Sequence, residues 1–293
     1  MRSSTPHDLD FRSPPFDQFT SIQPLAASAG GGGPSSHSRH RLYSARDKRS
    51  RTAALIKLTS KPGLIYQQNL TNEIATLSTI NRELADTRWF PILTDQGRLP
   101  DGRVFLIMTL FDELPLAATI SHERMPNRMV SHLLTTIEIA RALGRLHDLE
   151  IFHVDLNPMN VLYRAERGRP VIRIVDFESS YQRSRHGTEA LHAPPTTAGY
   201  SAPEIARQLP DGRSDLFSLG AVLYTMLAGF QWTWEAEAHQ CIRADQDLDP
   251  DLRTILLAAV DPDPERRYPS VHQFQGVLAG YLDQIWPGRS WQG

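Results

Sequence analysis

The chain lacks several features that mark other classes of protein. Cysteine occurs once in 293 residues, as Cys241, so no disulfide framework can form within the chain and a reducing compartment fits its composition. No apolar run approaches the roughly eighteen residues of a spanning helix, and no apolar stretch of a signal peptide follows the first residues. The net charge of −2 gives no global field for nucleic acid or an anionic membrane. We therefore expect a cytoplasmic protein with no membrane span and no nucleic-acid partner.

Regular patterning is also missing near the ends of the chain. Residues 1–24 are rich in Ser, Pro, Asp and Phe without periodicity, which predicts a disordered leader. Residues 28–40 form a low-complexity stretch that contains four consecutive glycines. The remaining composition is that of an ordinary globular protein, 40% hydrophobic and 22% charged. We predict one domain over residues 25–288, with a first lobe at about 25–109, a second at about 110–288, and a tail at 289–293.

The first lobe carries strand patterns and one helical pattern. Two short strands joined by a basic turn are predicted at 42–45 and 53–58, and a continuous apolar run predicts a buried strand at 104–108. Leu70 and Leu77 belong to an apolar stripe at helical spacing, and Glu73 lies on the same stripe. Because burying a lone carboxylate is costly, Glu73 requires a cation or hydrogen-bond donors.

The second lobe carries helical patterns. Apolar stripes predict helices over 130–143, 216–227 and 271–285, and the middle one is apolar on most of its circumference, which indicates burial. The expected fold class is therefore α+β, with a small β-rich lobe that contains one helix and a larger α-helical lobe. No internal repeat is visible.

One short segment concentrates groups suited to phosphoryl transfer. His153-Val154-Asp155-Leu156-Asn157-Pro158-Met159-Asn160 is followed at residue 176 by Asp-Phe-Glu. Phosphoryl transfer from a nucleotide needs cations on the phosphates, ligands for a metal and a group that orients the acceptor hydroxyl. Asp155 is the candidate base, and Asn160 and Asp176 are the candidate ligands for Mg²⁺, with Mn²⁺ as an alternative. Lys57 ends an aliphatic strand, and Glu73, sixteen residues later, is its candidate partner.

These motifs resemble those of eukaryotic-like (Hanks-type) serine/threonine protein kinases of the kind common in bacteria. Residues 54–57 resemble the family's V-A-I-K, residues 153–160 its H-R-D-L-K-P-x-N, and residues 176–178 its D-F-G. Downstream, Thr197 to Glu204 resembles the segment that ends in A-P-E. The blocks 214–220 and 263–268 resemble the start of the buried central helix and the segment that holds the arginine partner of the A-P-E glutamate.

The resemblance implies a role for each matching residue. ATP would be bound by Lys57 and by residues that contact the adenine, namely Leu42, the gatekeeper Met108 and the hinge residues Thr109, Leu110 and Phe111. The catalytic set would be Asp155, Lys57, Glu73 and Asn157, with Asn160 and Asp176 on the metal. Structural roles would fall to His153, Phe177 and Leu77 in an apolar spine, to Asp215 beneath the catalytic loop, and to the buried ion pair Glu204–Arg267. Thr197 would face Asp155 in the segment that binds a protein substrate.

The chain departs from the family pattern at four places, one of which is Val154, where the family has an arginine. The glycine positions of the phosphate-covering loop fall on Ser35, His37 and His40, and the four real glycines lie upstream of them. Asn157 stands where the family has a lysine, so we expect slower chemistry more than weaker binding. Glu178 stands where it has glycine, which would cost about 1–2 kcal/mol if the backbone there needed a positive φ.

Three functions are therefore considered. The first is an ATP- and Mg²⁺-dependent signalling kinase that phosphorylates Ser/Thr hydroxyls of protein substrates, with self-phosphorylation at Ser179, Ser180, Ser184, Thr188 or Thr196. The second is a pseudokinase that acts as a nucleotide-binding or scaffolding module, which the altered loop, Asn157 and Glu178 favour. The third is a small-molecule kinase of the choline or aminoglycoside type, because Asp-Phe-Glu also occurs there. The sequence identifies no physiological substrate, upstream signal or oligomeric state.

Overall fold

The computed structural model describes residues 11–25, 40–121, 123–188, 197–230, 232–233 and 236–287. The chain forms two compact units. The first unit comprises Met1–Ile74 and Pro91–Asp112, and the second comprises Ala75–Phe90 and Glu113–Gly293. Residues 75–90 belong to the second unit although they precede part of the first in the chain, and the lobe boundary expected at about residue 109 stays a prediction.

The first unit is built on a five-stranded antiparallel sheet with the strand order β1-β2-β3-β5-β4. Its strands are β1 (Phe19–Pro24), β2 (His40–Asp47), β3 (Ala53–Thr59), β4 (Leu93–Arg98) and β5 (Val104–Thr109). The turn between β2 and β3 is fixed by the Asp47 carboxylate, which accepts the N–H groups of Arg49 and Ser50 at 2.8 and 2.7 Å. The predicted strands at 42–45, 53–58 and 104–108 are confirmed.

The helix α1 (Leu64–Glu83) follows β3, and the division between the two units falls within it, after Ile74. Leu70 and Leu77, which belong to the apolar stripe, are fully buried. Glu73 is fully buried as well. The helix predicted from this stripe is confirmed, and a buried carboxylate on it requires a partner, which the candidate active site provides.

The second unit is mainly helical. Its helices are α2 (Met129–His147), α3 (Arg183–His186), α4 (Gly212–Ala228), α5 (Ala238–Ala244), α6 (Pro250–Ala259) and α7 (Val271–Ile285). Two small antiparallel sheets accompany them, formed by β6 (Leu114–Pro115), β8 (Val161–Glu166) and β9 (Arg169–Ile174) and by β7 (Ile151–Phe152) and β10 (Tyr181–Gln182). The predicted helices and the α+β fold class are confirmed.

Helix α4 is the centre of the second unit. It packs against α2, α6 and α7, and every residue from Ser214 to Leu227 is buried, as its nearly all-round apolar sequence predicts. The Asp211 carboxylate caps its first turn by accepting the Arg213 N–H at 2.7 Å. Gly229 ends the helix with φ of 63°, a left-handed conformation that glycine adopts without a steric penalty.

The prediction of a disordered leader over residues 1–24 is wrong for residues 11–24. Phe16 is 1% exposed and packs edge-to-face on Phe105 of β5, with ring centroids 5.4 Å apart. Phe11 makes a similar contact with Tyr43 at 5.0 Å, and β1 pairs with β2. Phe11, Phe16 and Phe19 lie at irregular spacing, so the segment shows no periodicity. The apolar area that they bury is enough to order it.

Other predictions for the ends of the chain lie outside the described residues. These are the first ten residues of the leader, most of the glycine-bearing stretch including Ser35 and His37, and the tail at 289–293. His40, the third predicted glycine position, opens β2 and pairs with Thr59. Within the part of the chain that is described, no helix is long and apolar enough to cross a membrane.

Replacing Phe16 with alanine tests the role of this N-terminal segment. Phe16→Ala should lower the free energy of unfolding by about 3–5 kcal/mol, because it removes a fully buried ring and leaves a cavity against the sheet. The measurement is urea unfolding at pH 7. Leu25→Ala, at a side chain that is 37% exposed, is the control and should change stability by less than about 0.5 kcal/mol. Equal stability of the two variants would show that the segment does not support the sheet.

Candidate active site

Lys57 and Glu73 form a buried ion pair in the first unit. Lys57 lies in the middle of β3, between Leu42 of β2 and Leu106 of β5 in the strand register. Its Nζ atom is 2.7 Å from Oε2 of Glu73 on α1, and the two side chains are 9% and 0% exposed. The pair neutralises the carboxylate inside the apolar stripe and fixes the ammonium group in one place.

The predicted adenine-contacting residues lie in the same sheet or at its end. Leu42 is half-buried on β2, and Met108 is 4% exposed on β5. Thr109 is the last residue of β5, and the Leu110 N–H donates to the Ala53 carbonyl at 3.4 Å. Phe111 follows in extended chain without regular structure. The structure thus gathers the nucleotide-binding candidates of the first unit around strands β2, β3 and β5.

The Asp215 carboxylate holds the start of the catalytic loop in the second unit. Asp215 is fully buried in α4 and accepts the His153 N–H at 2.9 Å and the Val154 N–H at 2.7 Å. Nε2 of His147 at the end of α2 lies 2.8 Å from Oδ2 of the same carboxylate. Burial alone would raise the pKa of Asp215, but the hydrogen bond and charge of His147 and the Val154 N–H keep the pKa below its ordinary value.

Val154 has a strained backbone. Its φ is 70°, in the left-handed region that a β-branched residue rarely adopts. Such a conformation costs of order 1–3 kcal/mol and persists only where the surroundings determine it. The hydrogen bonds of the His153 and Val154 N–H groups to Asp215 supply that constraint. They fix the direction of the chain at Val154 and therefore the position of Asp155, the next residue.

His153 is packed rather than exposed. It is fully buried, and its ring lies 5.1 Å from the Phe177 ring. Nε2 lies 3.1 Å from the Val175 carbonyl, and because a carbonyl only accepts, Nε2 carries the proton. Phe177 also contacts Phe90 at 6.1 Å, and Leu77 is fully buried. His153, Phe177 and Leu77 are thus all buried, and their assignment to one apolar spine stays a prediction.

Asp155 lies among hydrogen-bond donors. Its Oδ1 atom accepts the Thr197 hydroxyl at 2.7 Å, and the amide nitrogens of Asn157 and Asn160 each lie 3.4 Å from one of its carboxylate oxygens. Burial raises the pKa of Asp155, and the neighbouring Asp176 adds to this, while the Thr197 hydroxyl, the His153 charge and the Asn157 amide act in the opposite direction. The carboxylate is therefore both oriented and basic.

Asn157 is tied into the loop. Its Nδ2 atom donates to the Asp155 carbonyl at 3.0 Å, its Oδ1 atom accepts the Met159 N–H at 2.9 Å, and the residue is 6% exposed. A side chain used at both ends for the turn braces Asp155 and adds no positive charge. The loop geometry is thus preserved at the position where the charge of the family's lysine is missing.

Asn160 and Asp176 carry oxygen atoms of the kinds that bind divalent cations. Asn160 Nδ2 donates to the Asp155 carbonyl at 2.9 Å, which identifies the other atom of the amide as the oxygen. Asp176 follows β9 directly, and its φ is 67°. An amide oxygen and a carboxylate are the ligands that Mg²⁺ and Mn²⁺ prefer, so the residues fit such an ion.

Glu178 does not need a left-handed backbone. Among the described residues other than glycine, positive φ occurs at Asp176 but not at Glu178. The cost predicted for a non-glycine residue at position 178 therefore does not arise, because the unusual conformation falls two residues earlier.

The segment after Asp176 is held by contacts within the second unit. The Ser180 hydroxyl donates to the Phe177 carbonyl at 2.7 Å and lies 2.8 Å from the Thr76 hydroxyl, while β10 pairs with β7. Of the predicted self-phosphorylation sites, Ser180 is fully buried and unsuited, Ser179 is half-buried, and Ser184 and Thr188 are exposed. Thr196 lies outside the described residues.

Glu204 and Arg267 form a buried bidentate ion pair. Both oxygens of Glu204 accept from the guanidinium group at 2.8 Å, and the two residues are 8% and 4% exposed. Arg267 also donates to the carbonyls of Arg213 and Asp261 at 2.8 and 2.7 Å. The Ser214 hydroxyl completes the shell of Glu204 at 2.8 Å. The pair anchors the end of the Thr197–Glu204 segment to the first turn of α4 and to the chain that follows α6.

A mainly apolar cavity of about 440 Å³ adjoins this segment. Its walls include Thr197 to Gly199, the residues around Pro203, Phe217 and Val260, with Glu237 and His239 as the ionisable side chains among those that line it. Thr197, whose hydroxyl contacts Asp155, is one of the residues that line the cavity. The cavity has the size and the mainly apolar lining to hold an apolar side chain.

The fold and this geometry define a protein kinase domain. A protein-family model described as "Protein kinase domain" matches residues 38–280. The match covers most of the chain, and the chain belongs to this family.

Curated relatives are kinases by name, and one of them is named as a serine/threonine-protein kinase. Human ribosomal protein S6 kinase alpha-2 is 41% identical over 143 residues, which cover 47% of this chain and 19% of that protein. Serine/threonine-protein kinase ULK3 of Xenopus laevis is 30% identical over 254 residues, which cover 80% of this chain and 51% of that protein. The chain therefore spans about a fifth to a half of the length of these relatives.

Sequence reasoning missed several residues that shape the site. His147 binds Asp215 from a position 68 residues away, and no local motif marks it. Phe90 packs on Phe177, and Trp89 donates from its indole nitrogen to Glu138 at 2.8 Å, so the aromatic pair before Pro91 was the available signal. Trp232, on the connection after α4, was also missed. Its ring lies against Gly199 and near the Tyr200 ring, in the segment that follows Thr197.

Removing Arg267 tests the buried ion pair. Arg267→Ala should destabilise the protein by about 3–5 kcal/mol, because it leaves the Glu204 carboxylate buried and unpaired. Urea unfolding measures the change. The neighbouring Arg266→Ala is the control, since Arg266 is 75% exposed and lies 3.7 Å from Asp263, a surface pair that contributes about 0–1 kcal/mol. A loss at Arg267 no larger than at Arg266 would contradict a structural role for the pair.

Proposed function

We propose that this chain is an ATP- and Mg²⁺-dependent serine/threonine protein kinase in which Asp155 is the catalytic base. The observation that carries the proposal is the 2.7 Å hydrogen bond between the Thr197 hydroxyl and the Asp155 carboxylate. The Thr197 hydroxyl occupies the kind of contact that a substrate hydroxyl makes with its base. The family membership of the chain and its similarity to proteins named as kinases support the same activity.

In the proposed reaction, the acceptor hydroxyl oxygen bonds to the γ-phosphorus of ATP as the bond to the bridging oxygen of ADP breaks. Asp155 accepts the hydroxyl proton, for which its raised pKa is favourable. Bound Mg²⁺ would supply positive charge on the phosphates, with Asn160 and Asp176 as its protein ligands. Lys57, held by Glu73, would bind phosphate oxygens.

The missing lysine at position 157 affects the rate in this proposal. Asn157 preserves the loop by bonding to Asp155 and Met159, and it places no cation beside the transferred phosphoryl group. Charge that develops only in the transition state is then less stabilised, so the chemical step is slower while ATP binding changes less. We therefore propose a slow kinase.

A protein acceptor is favoured over a small molecule. The segment that ends at Glu204 is anchored by Arg267, and the apolar cavity next to Thr197 offers room for a neighbouring side chain of a polypeptide. The exposed Ser184 and Thr188 keep self-phosphorylation among the proposals. The bacterial type, the cytoplasmic location and a role in signalling stay predictions.

A pseudokinase is the second candidate function. The observation that favours it is the neutral Asn157 turned into the loop at a position where the family has a cation. In that case the chain would bind a nucleotide or a protein partner and transfer no phosphate.

Transfer of radiolabelled phosphate from γ-³²P-ATP decides between these functions. With Mg²⁺ and dephosphorylated casein, the wild type should label itself or casein, and Asp155→Ala should lower the rate by about 10²–10⁴-fold because the proton acceptor is lost. Asp148→Ala is the matched control, since Asp148 is exposed at the end of α2, and should keep the wild-type rate.

Other outcomes identify the other functions. Thermal stabilisation by ATP with Mg²⁺ but no transfer would identify a pseudokinase. Label on choline or on an aminoglycoside, without label on protein, would identify a small-molecule kinase. Equal transfer by the wild type and Asp155→Ala would remove Asp155 as the base.

A further inference from the structure

The hydroxyl of Thr197 is held in place by the residues that follow it. The Thr197 carbonyl accepts the Tyr200 N–H at 3.0 Å and the Ser201 N–H at 3.1 Å, and the Thr197 N–H donates to the Ser201 hydroxyl at 2.8 Å. The position of Tyr200 therefore determines where the Thr197 hydroxyl meets Asp155.

Tyr200 is in turn fixed by a saturated hydroxyl on α4. The Thr225 hydroxyl donates to the Ala221 carbonyl at 2.9 Å, so its lone pairs are available to accept. It accepts the indole N–H of Trp232 at 2.8 Å, and the Tyr200 hydroxyl lies 3.0 Å away as its second donor. Burial raises the pKa of Tyr200 to about 12, so the tyrosine keeps the proton that it donates. Every polar atom of this group has a partner.

Trp232 also covers Gly199 directly. A Cβ atom on Gly199 would lie 2.3 Å from ring atoms of Trp232, and the φ of Gly199 is 75°. A side chain at this position would have to displace the indole ring, and the backbone conformation itself favours glycine. The indole therefore packs against the backbone of the same turn whose tyrosine it reaches through Thr225.

The indole ring is itself held on its other side. Its ring centroid lies 4.8 Å from that of Phe230 and 5.8 Å from that of Tyr224. The Tyr224 hydroxyl donates to the Asp245 carboxylate at 3.0 Å, and Arg124 forms an ion pair with the same carboxylate. Trp232 thus belongs to a packed aromatic cluster that fixes the position of its ring.

We propose that Trp232 and Thr225 are positioning residues for the protein acceptor, because together they fix the Gly199–Tyr200 turn that presents the Thr197 hydroxyl to Asp155. This inference rests on the proposed kinase function. It assigns a role to an indole on the connection after α4, whose hydrogen-bond and ring contacts among the described residues are with Thr225, Tyr200, Tyr224 and Phe230. All of its steps lie within the second unit, and Lys57 and Glu73 take no part in them.

The proposal predicts a selective effect on the acceptor. Loosening the Gly199–Tyr200 turn should weaken binding and alignment of the substrate polypeptide, because the turn lines the acceptor side of the site. ATP affinity should stay unchanged, because the candidate nucleotide-binding residues around β2, β3 and β5 make no contact with this turn among the contacts described above. A loss of general stability would lower both.

Thr225→Val tests the shared hydroxyl with almost no change in shape. Thr135→Val is its matched control. The Thr135 hydroxyl makes the same bond to the carbonyl four residues earlier in a helix, at 2.8 Å, and Thr135 is 2% exposed against 3% for Thr225. The two variants differ in that only Thr225 accepts from Tyr200 and Trp232 among the described contacts. Trp232→Phe adds a variant that keeps an aromatic ring and loses the N–H donor.

Two readouts are needed, one of them independent of activity. Hydrogen exchange of the Tyr200 and Ser201 amides should accelerate about tenfold in Thr225→Val and Trp232→Phe, because a buried donor is left without its acceptor or the acceptor without its donor. With γ-³²P-ATP, the KM for dephosphorylated casein should rise about tenfold in the same variants, while the KM for ATP changes less than twofold. Thr135→Val should match the wild type in both.

Each alternative outcome has a separate meaning. Unchanged exchange and an unchanged casein KM in Thr225→Val overturn the proposal, as does an equal effect of Thr135→Val. A rise in the ATP KM by the same factor shows a purely structural role and also overturns it. If the wild type transfers no phosphate, the proposed kinase function fails and the acceptor role fails with it, while faster exchange in Thr225→Val alone would still establish that Thr225 fixes the turn.

Discussion

The Asp215 carboxylate is the contact on which the arrangement of the second unit's site depends. It is buried in the central helix α4, and it accepts two consecutive backbone N–H groups of the catalytic loop and faces His147. These bonds hold Val154 in a left-handed conformation that its side chain disfavours. Asp155 comes next in the chain, so the direction of the proposed base is set by a carboxylate that is fully buried.

Three buried carboxylates use the same physical device. Asp215 is paired with backbone donors and His147, Glu73 with Lys57, and Glu204 with Arg267. An unpaired carboxylate in each place would be strongly destabilising, whereas the paired groups fix the register between elements that are distant in sequence. Glu73 places the Lys57 ammonium group, Asp215 places the catalytic loop, and Arg267 places the segment that ends at Glu204. The stability of each unit is therefore linked to the geometry of its part of the site.

The parts of the site that could be predicted from sequence are those carried by short motifs. Lys57, Asp155, Asn160, Asp176 and Glu204 each belong to a string of residues whose spacing is fixed by one strand, loop or turn. His147 and Trp232 could not be found in this way, because their partners lie far away along the chain and no local pattern marks them. The N-terminal segment was misjudged for a related reason, since Phe16 and Phe19 are buried and Phe11 packs against the same cluster, but their irregular spacing leaves no periodic signal.

The single-turnover rate of phosphoryl transfer in Asp215→Asn tests this account most directly. The rate should fall by about 10²-fold, because the amide can no longer accept from both N–H groups and the His147 side chain, and a displacement of the base of about 1 Å is costly. ATP affinity, measured by calorimetry in the same preparation, should stay within about threefold of the wild type, since Asp215 belongs to the acceptor side of the chemistry. A transfer rate equal to that of the wild type would contradict the claim that Asp215 sets the position of Asp155.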